Sequence, residues 1–137
     1  MSAAPKTPNL VRQWVEKAEH DLLNVENNLA ASRIPWDTVC FHEQQCAEKY
    51  LKALLTLKEI DFPKSHDLTE LVVRVPSDVR LGVDAAVFEG LNPYSIEGRY
   101  PGVWEPIERE EALNAVAAAR KIRQAIRALL PREAVQL

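Results

Sequence analysis

Apolar residues recur at helical spacing along most of this chain. Val11, Trp14, Val15, Ala18, Leu22, Val25 and Leu29 fall on one stripe, leaving Arg12, Glu16, Lys17, Glu19 and Glu26 for the other side, and this pattern predicts an amphipathic helix. Thr7 followed by Pro8 is a cap with proline at the first helical position, so the helix is expected to begin there and to end near Ser32, ahead of Pro35. Asp37 is placed to cap a second helix that carries Cys40, Ala47, Leu51, Leu54 and Leu55 on one face and stops before Pro63. Glu48 and Lys52 form an i,i+4 pair on its polar side. A second stripe of Cys46, Tyr50, Ala53 and Leu57 makes this helix apolar on more than one side. Such a helix is either central in its bundle or shared with another subunit.

Ser65 precedes a short helix bearing Leu68, Leu71, Val72 and Val75, which Pro76 ends because it lacks the N–H of the ladder. Ser77 is read as the cap of a further helix reaching Leu91. Residues 92–106 hold three prolines and two glycines and are read as a loop, long enough to suggest a role of its own. The last helix is expected to start near Ile107, with Glu108, Glu110 and Glu111 at its positive end, Arg123 and Arg127 toward its negative end, and a core stripe of Ala115, Ala119, Ile122, Ile126 and Leu129. These segments predict one all-α domain over residues 1–137, an antiparallel up-and-down bundle of about five helices.

The 137 residues are enough to bury one continuous core, and 47% hydrophobic with 27% charged residues is the balance of a globular chain. A net charge of −3 means that the surface as a whole does not attract a polyanion, so any nucleic-acid contact needs a local basic patch. Cys40 and Cys46, six apart on a helix, stand about 9 Å apart along its axis, too far for a disulfide. Residues 1–8 show no signal pattern and no apolar run approaches a membrane span, so a cytoplasmic protein without membrane contact is expected. The phosphate-cradling patterns GxxxxGK[ST] and GxGxxG do not occur.

Three constellations carry candidate chemistry. His42 and Cys46 sit four apart in a segment similar to the zincin HExxH, but a third ligand is required and only His20 and His66 remain among the histidines; neither metal nor cofactor is expected. Arg120, Lys121, Arg123, Arg127 and Arg132 form a basic strip, either a solvated face that complements the helix dipole or a patch that meets phosphate. The loop gathers Tyr94, Glu97, Arg99, Tyr100 and Trp104, aromatics that serve binding or fold back to plug the open end of the bundle.

Trp14, Ala18 and Asp21-Leu22 on the first helix, the run Cys40-Phe41-His42-Glu43-Gln44-Gln45-Cys46-Ala47-Glu48-Lys49-Tyr50-Leu51-Lys52-Ala53-Leu54-Leu55, His66-Asp67-Leu68 with Leu71, and Gly98-Arg99-Tyr100-Pro101 together resemble the HEPN domain family over nearly the whole chain. The resemblance implies a dimerising helical bundle that works beside a small nucleotidyltransferase as a two-component or toxin–antitoxin pair. Many members are metal-independent ribonucleases built on an arginine followed, after four to six residues, by a histidine. Here the positions where that histidine would fall after Arg99 are Trp104, Glu105 and Pro106, and His20, His42 and His66 have no arginine at the required distance before them.

The expectation is therefore a non-catalytic homodimeric HEPN module that binds a nucleotide or nucleic-acid phosphate, a nucleotidyltransferase partner, or both, through Tyr94, Arg99, Tyr100, Arg120 and Arg123. The rival expectation is a metal-independent ribonuclease toxin with an altered site, in which Arg99 stabilises charge and Glu105 or Tyr100 handles the proton. The expected dimer contact is drawn from apolar positions of the first two helices that a single bundle leaves uncovered, with the stripe through Tyr50 as the candidate.

Overall fold

A computed structural model of the protein describes residues 6–96, 102 and 105–136. Among the described residues six helices follow one another: α1 (Lys6–Leu29), α2 (Trp36–Leu57), α3 (Leu68–Val72), α4 (Ala85–Leu91), α5 (Arg109–Arg127) and α6 (Arg132–Val135), with a 3-10 turn (Asn92–Ser95) directly after α4. The architecture is the all-helical bundle that the periodicity predicts. Among the described residues no helix is long and apolar enough to cross a membrane.

The three long helices follow their sequence stripes. Val11, Val15, Ala18 and Val25 of α1 and Ala112, Ala115, Val116, Ala119, Ile122 and Ile126 of α5 are buried, and both pack against α2. α2 is the centre of the molecule, touching α1, α3, α4, the 3-10 turn and α5. That position explains its two apolar stripes within one chain, because Cys46, Tyr50 and Ala53 of the second stripe are as deeply buried as Ala47, Leu51, Leu54 and Leu55 of the first. The expectation that a partner subunit covers Tyr50 is corrected accordingly.

Helix ends differ from the sequence reading by up to three residues, α1 closing at Leu29 and not near Ser32, and α3 at Val72 and not at Val75. Thr7 and Pro8 lie inside the first turn of α1, where proline removes no ladder bond, and Pro35 rather than Asp37 occupies the position before α2. α2 closes in a Schellman arrangement: Ile60 N–H donates to the Leu55 carbonyl at 2.9 Å and Glu59 N–H to Thr56 at 3.0 Å, with Glu59 at a φ of 56° in the place that favours glycine. α5 begins at Arg109, two residues after Ile107, because Glu108 is still extended.

The larger departure is residues 77–84, which form no helix; α4 starts only at Ala85. Val79, Leu81 and Val83 are half-buried while Arg80, Gly82 and Asp84 are exposed, a period of two that belongs to extended chain, and Gly82 takes a φ of +68° that interrupts any helix.

Asp67 caps α3: its Oδ1 accepts from Thr69 N–H (2.9 Å), Thr69 Oγ1 (2.6 Å) and Asn92 Nδ2 (2.8 Å), while Asn92 Oδ1 accepts from Leu68 N–H (2.8 Å). These bonds, Thr69 first and then Asn92, hold its carboxyl below the usual range. Asp67 thus ties the start of α3 to the end of α4, and Asp67→Ala should lower the melting temperature by about 3–5 °C in a thermal scan, whereas Asp67→Asn should recover much of the loss.

Candidate functional site

Polar residues of α2 meet polar residues of α1 and of the 58–67 connection in a seam that is largely buried. Asp21 of α1 reaches into it, its Oδ1 2.7 Å from His42 Nδ1 and its Oδ2 accepting from Lys49 Nζ at 2.5 Å. Glu48, one-fiftieth exposed, repeats the motif: Oε1 lies 2.9 Å from His66 Nδ1 and Oε2 accepts from Lys52 Nζ at 3.0 Å. Gln45 Nε2 donates to Gln44 Oε1 and, at 3.4 Å, to Glu48 Oε1, and Gln44 Nε2 donates to the His66 carbonyl. Trp14 and Phe62, centroids 6.2 Å apart, stand over Lys52, whose Nζ is 5.4 Å and 5.9 Å from the two rings. The Glu48–Lys52 pair expected on a solvated side is thus interior, because helix neighbours on both sides leave α2 little polar face.

The chemistry of each imidazole follows from its carboxylate. Asp21, already paired with the Lys49 ammonium, is ionised and can only accept, so Nδ1 of His42 carries the hydrogen and Nε2 is the remaining functional atom. The His42 side chain is one-fifth exposed. Phe41 packs edge-on at 5.1 Å and steadies the ring.

On the other flank of α1, Glu19 accepts two bonds from Arg123 of α5, Nε and Nη2 each at 2.8 Å, and a third from the Tyr50 hydroxyl at 2.5 Å, while Arg127 donates to Tyr50 Oη at 3.0 Å and to the Val135 carbonyl. Burial alone raises the Glu19 carboxyl, but Arg123 and Tyr50 outweigh it and hold Glu19 below its ordinary value. The same bond to Glu19 raises Arg123 further. This is a bidentate ion pair linking α1 to α5, and it uses the donors that the basic strip was expected to offer to phosphate. Between these flanks Glu43 is fully enclosed, and among the described residues its two carboxyl oxygens are the only buried side-chain polar atoms without a hydrogen-bond partner. Burial carries it up to about 8, with Asp21 and Glu26 adding to the effect and Arg120 and Arg123 opposing it. Cys46 is likewise pushed up by burial, and among the described residues no group of three or more potential metal ligands occurs.

Of the expected site residues, Tyr94, Arg120 and Arg123 are described, each in a different setting. Tyr94 is not an exposed loop aromatic: it is buried in the 3-10 turn and donates to Glu111 Oε2 of α5 at 2.5 Å, which is the plugging alternative. Arg123 is committed to Glu19, whereas Arg120 and Glu105 are exposed. Arg99 and Tyr100, with Glu97 and Trp104, lie outside the described residues. Beside Tyr94 a cavity of about 370 Å³ runs between α4 and α5, lined by the small residues Ala86, Gly90, Ala115 and Ala118 and by polar groups from Glu111, Asn114 and Lys121. A wider opening of about 580 Å³, lined by Pro8, Val11, Leu57 and Ala134, contains none of the expected site residues.

Sequence reasoning missed the seam as a site, although Asp21, His42, Gln45, Glu48, Lys49, Lys52 and His66 all lie in the segments that carry the family resemblance. The available signal was charged residues recurring on a helix that was already apolar on two sides. Searches among curated proteins and among solved structures return no match to this chain. The family model for the HEPN domain does match, over residues 11–129, which takes in α1 through α5 with the seam and the α4–α5 cavity: the chain belongs to the HEPN domain family.

Proposed function

We propose that this protein is a homodimeric, non-catalytic HEPN module that binds the phosphate of a nucleotide or nucleic acid and works beside a nucleotidyltransferase. Family membership supports a nucleotide- or RNA-related role in general. The observation that carries the binding reading is the α4–α5 cavity, whose lining combines small residues that leave room for a flat base with Asn114 and Lys121 as hydrogen-bond donors, and which lies beside Tyr94, five positions before Arg99 in the chain. Arg99 retains a planar fork of donors for phosphate oxygens, while no histidine stands at the family's spacing after it to exchange a proton. With Tyr50 interior, the large apolar side chains open to a second copy include Leu10, Leu23 and Leu113.

Titration of the purified protein with AMP and with a short ribo-oligonucleotide tests the reading. Lys121→Glu and Arg99→Ala should each weaken binding by about tenfold with unchanged helical content, the size expected for one charge-assisted contact. Wild-type affinity retained in both variants would overturn it. Incubation of wild type and Arg99→Ala with a mixed RNA pool in EDTA should give no Arg99-dependent cleavage; such cleavage would promote the ribonuclease reading, with Glu105 or Tyr100 as the proton-handling group.

A further inference from the structure

The α1–α2 seam has a charge balance that sets it apart from the cavity. Asp21 and Glu48, both buried, are matched one for one by Lys49 and Lys52. Neutral imidazoles therefore leave the seam without net charge. A proton taken up at His42 makes it positive and turns Nε2 of this partly exposed ring into an N–H donor, with the Lys49 ammonium on the same carboxylate. The groups that face His42 are Asp21 from α1 and Lys49 and Phe41 from α2, with the enclosed Glu43 carboxyl one residue away and near enough to Asp21 for that charge to push it further up. Asp21 is positioned to stabilise the imidazolium without moving, since its bond to Nδ1–H is already made. Lys17, exposed one helical turn before Asp21, adds a further cation to the rim.

We propose that His42 Nε2 and the Lys49 ammonium form a second anion site, which takes a phosphate group and acquires one proton as it does so. The protein holds the positive charge in reserve: the seam is neutral when empty and becomes complementary to a phosphate oxygen only on protonation, so ligand and proton bind together. A phosphomonoester at the end of a nucleotide and a phosphodiester within an RNA strand offer the same oxygens, and the choice of probe separates them. The ligand class rests on the HEPN reading above, but the site is separate from the α4–α5 cavity and is read out at a different residue.

The experiment follows the ring resonances of His20, His42 and His66 by NMR while the full chain is titrated with AMP, or with a ribo-oligonucleotide lacking terminal phosphate, at about pH 6 and about pH 8. Coupled uptake of one proton predicts affinity falling by about tenfold per pH unit once the free imidazole is neutral. His42 should shift most, with His20 on the exposed outer side of α1 as the internal reference. Lys49→Gln should weaken the effect on His42, and His42→Gln should remove the pH dependence. Response to AMP alone assigns a terminal phosphate, and response to both assigns a backbone phosphate. Equal affinity at the two pH values, or equal shifts at His20 and His42, overturns the proposal even where His42→Gln fails to fold, since both are measured on the wild type. Loss of the Lys121 and Arg99 effects with the His42 response intact would remove the cavity reading and leave the seam.

Discussion

Glu43→Gln is expected to make this protein more stable at pH 7–8, by on the order of 3 kcal/mol, and to raise its melting temperature by about 10 °C. The wild-type residue is a carboxyl enclosed among α1, α2 and α5 with no partner for either oxygen, so it folds as the neutral acid and burial holds it up to about 8. In the unfolded chain the same group ionises near its ordinary value of 4.5. With the folded value above the unfolded one, its contribution to stability is complete below about pH 4.5 and is lost progressively as the pH rises toward about 8. Glutamine keeps the shape and the neutrality and has no proton to lose, so the variant's stability should be flat across that window where the parent's declines. Denaturant melts of both proteins from about pH 4 to about pH 8 check this. Parallel curves would show that Glu43 is solvated or paired in solution.

The second large effect is at Tyr50, and it is opposite in sign. Tyr50→Glu should cost about 5 kcal/mol or more, comparable to the whole stability of an ordinary domain, and abolish cooperative folding. The side chain has no exposed surface, its hydroxyl bridges Glu19 and Arg127, and burial followed by the bond to Glu19 holds that hydroxyl protonated far above the range where tyrosine ordinarily ionises. A carboxylate there would face Glu19 across an unhydrated gap and leave the ring's volume partly empty. Tyr50→Phe separates the contributions, keeping the packing and losing only the hydroxyl's bonds, for about 1–3 kcal/mol. Circular dichroism and sedimentation of both variants distinguish this outcome from a dimer contact. A folded, monomeric Tyr50→Glu protein would show that the stripe is an intersubunit surface after all.

These two residues also show how much of the molecule was legible beforehand. The long helices and their buried stripes could be read because 3.6-residue spacing is a local property, visible in Val11, Val15 and Ala18 or in Ala115, Ala119 and Ile122 without knowledge of the fold. Residues 77–84 were misread because Pro76 and Ser77 look like a helix start; the alternation of Val79, Leu81 and Val83 around Gly82 was the stronger local signal. The polar seam was illegible for a different reason. Whether Glu48 and Lys52 lie in water or in the interior depends on what covers them, and their cover, including His66, comes from a separate stretch of chain. Arg123 shows the same limit: a cation in the last turns of a helix reads as dipole complement until Glu19, more than a hundred positions earlier, is known to face it.

The placement of the ion pairs has a mechanical consequence. α1 is pinned to its neighbours on both flanks, through Asp21 to α2 on one side and through Glu19 to α5 on the other, so it can neither roll nor slide without breaking a carboxylate contact. The α1–α2–α5 core therefore acts as a rigid frame. The turn that closes α4 joins it to this frame and to α3 together: Tyr94 donates to Glu111 of α5, and Asn92 bonds to Asp67 and Leu68 at the start of α3. A ligand entering between α4 and α5 would therefore meet, on its α5 side, a wall that belongs to this frame.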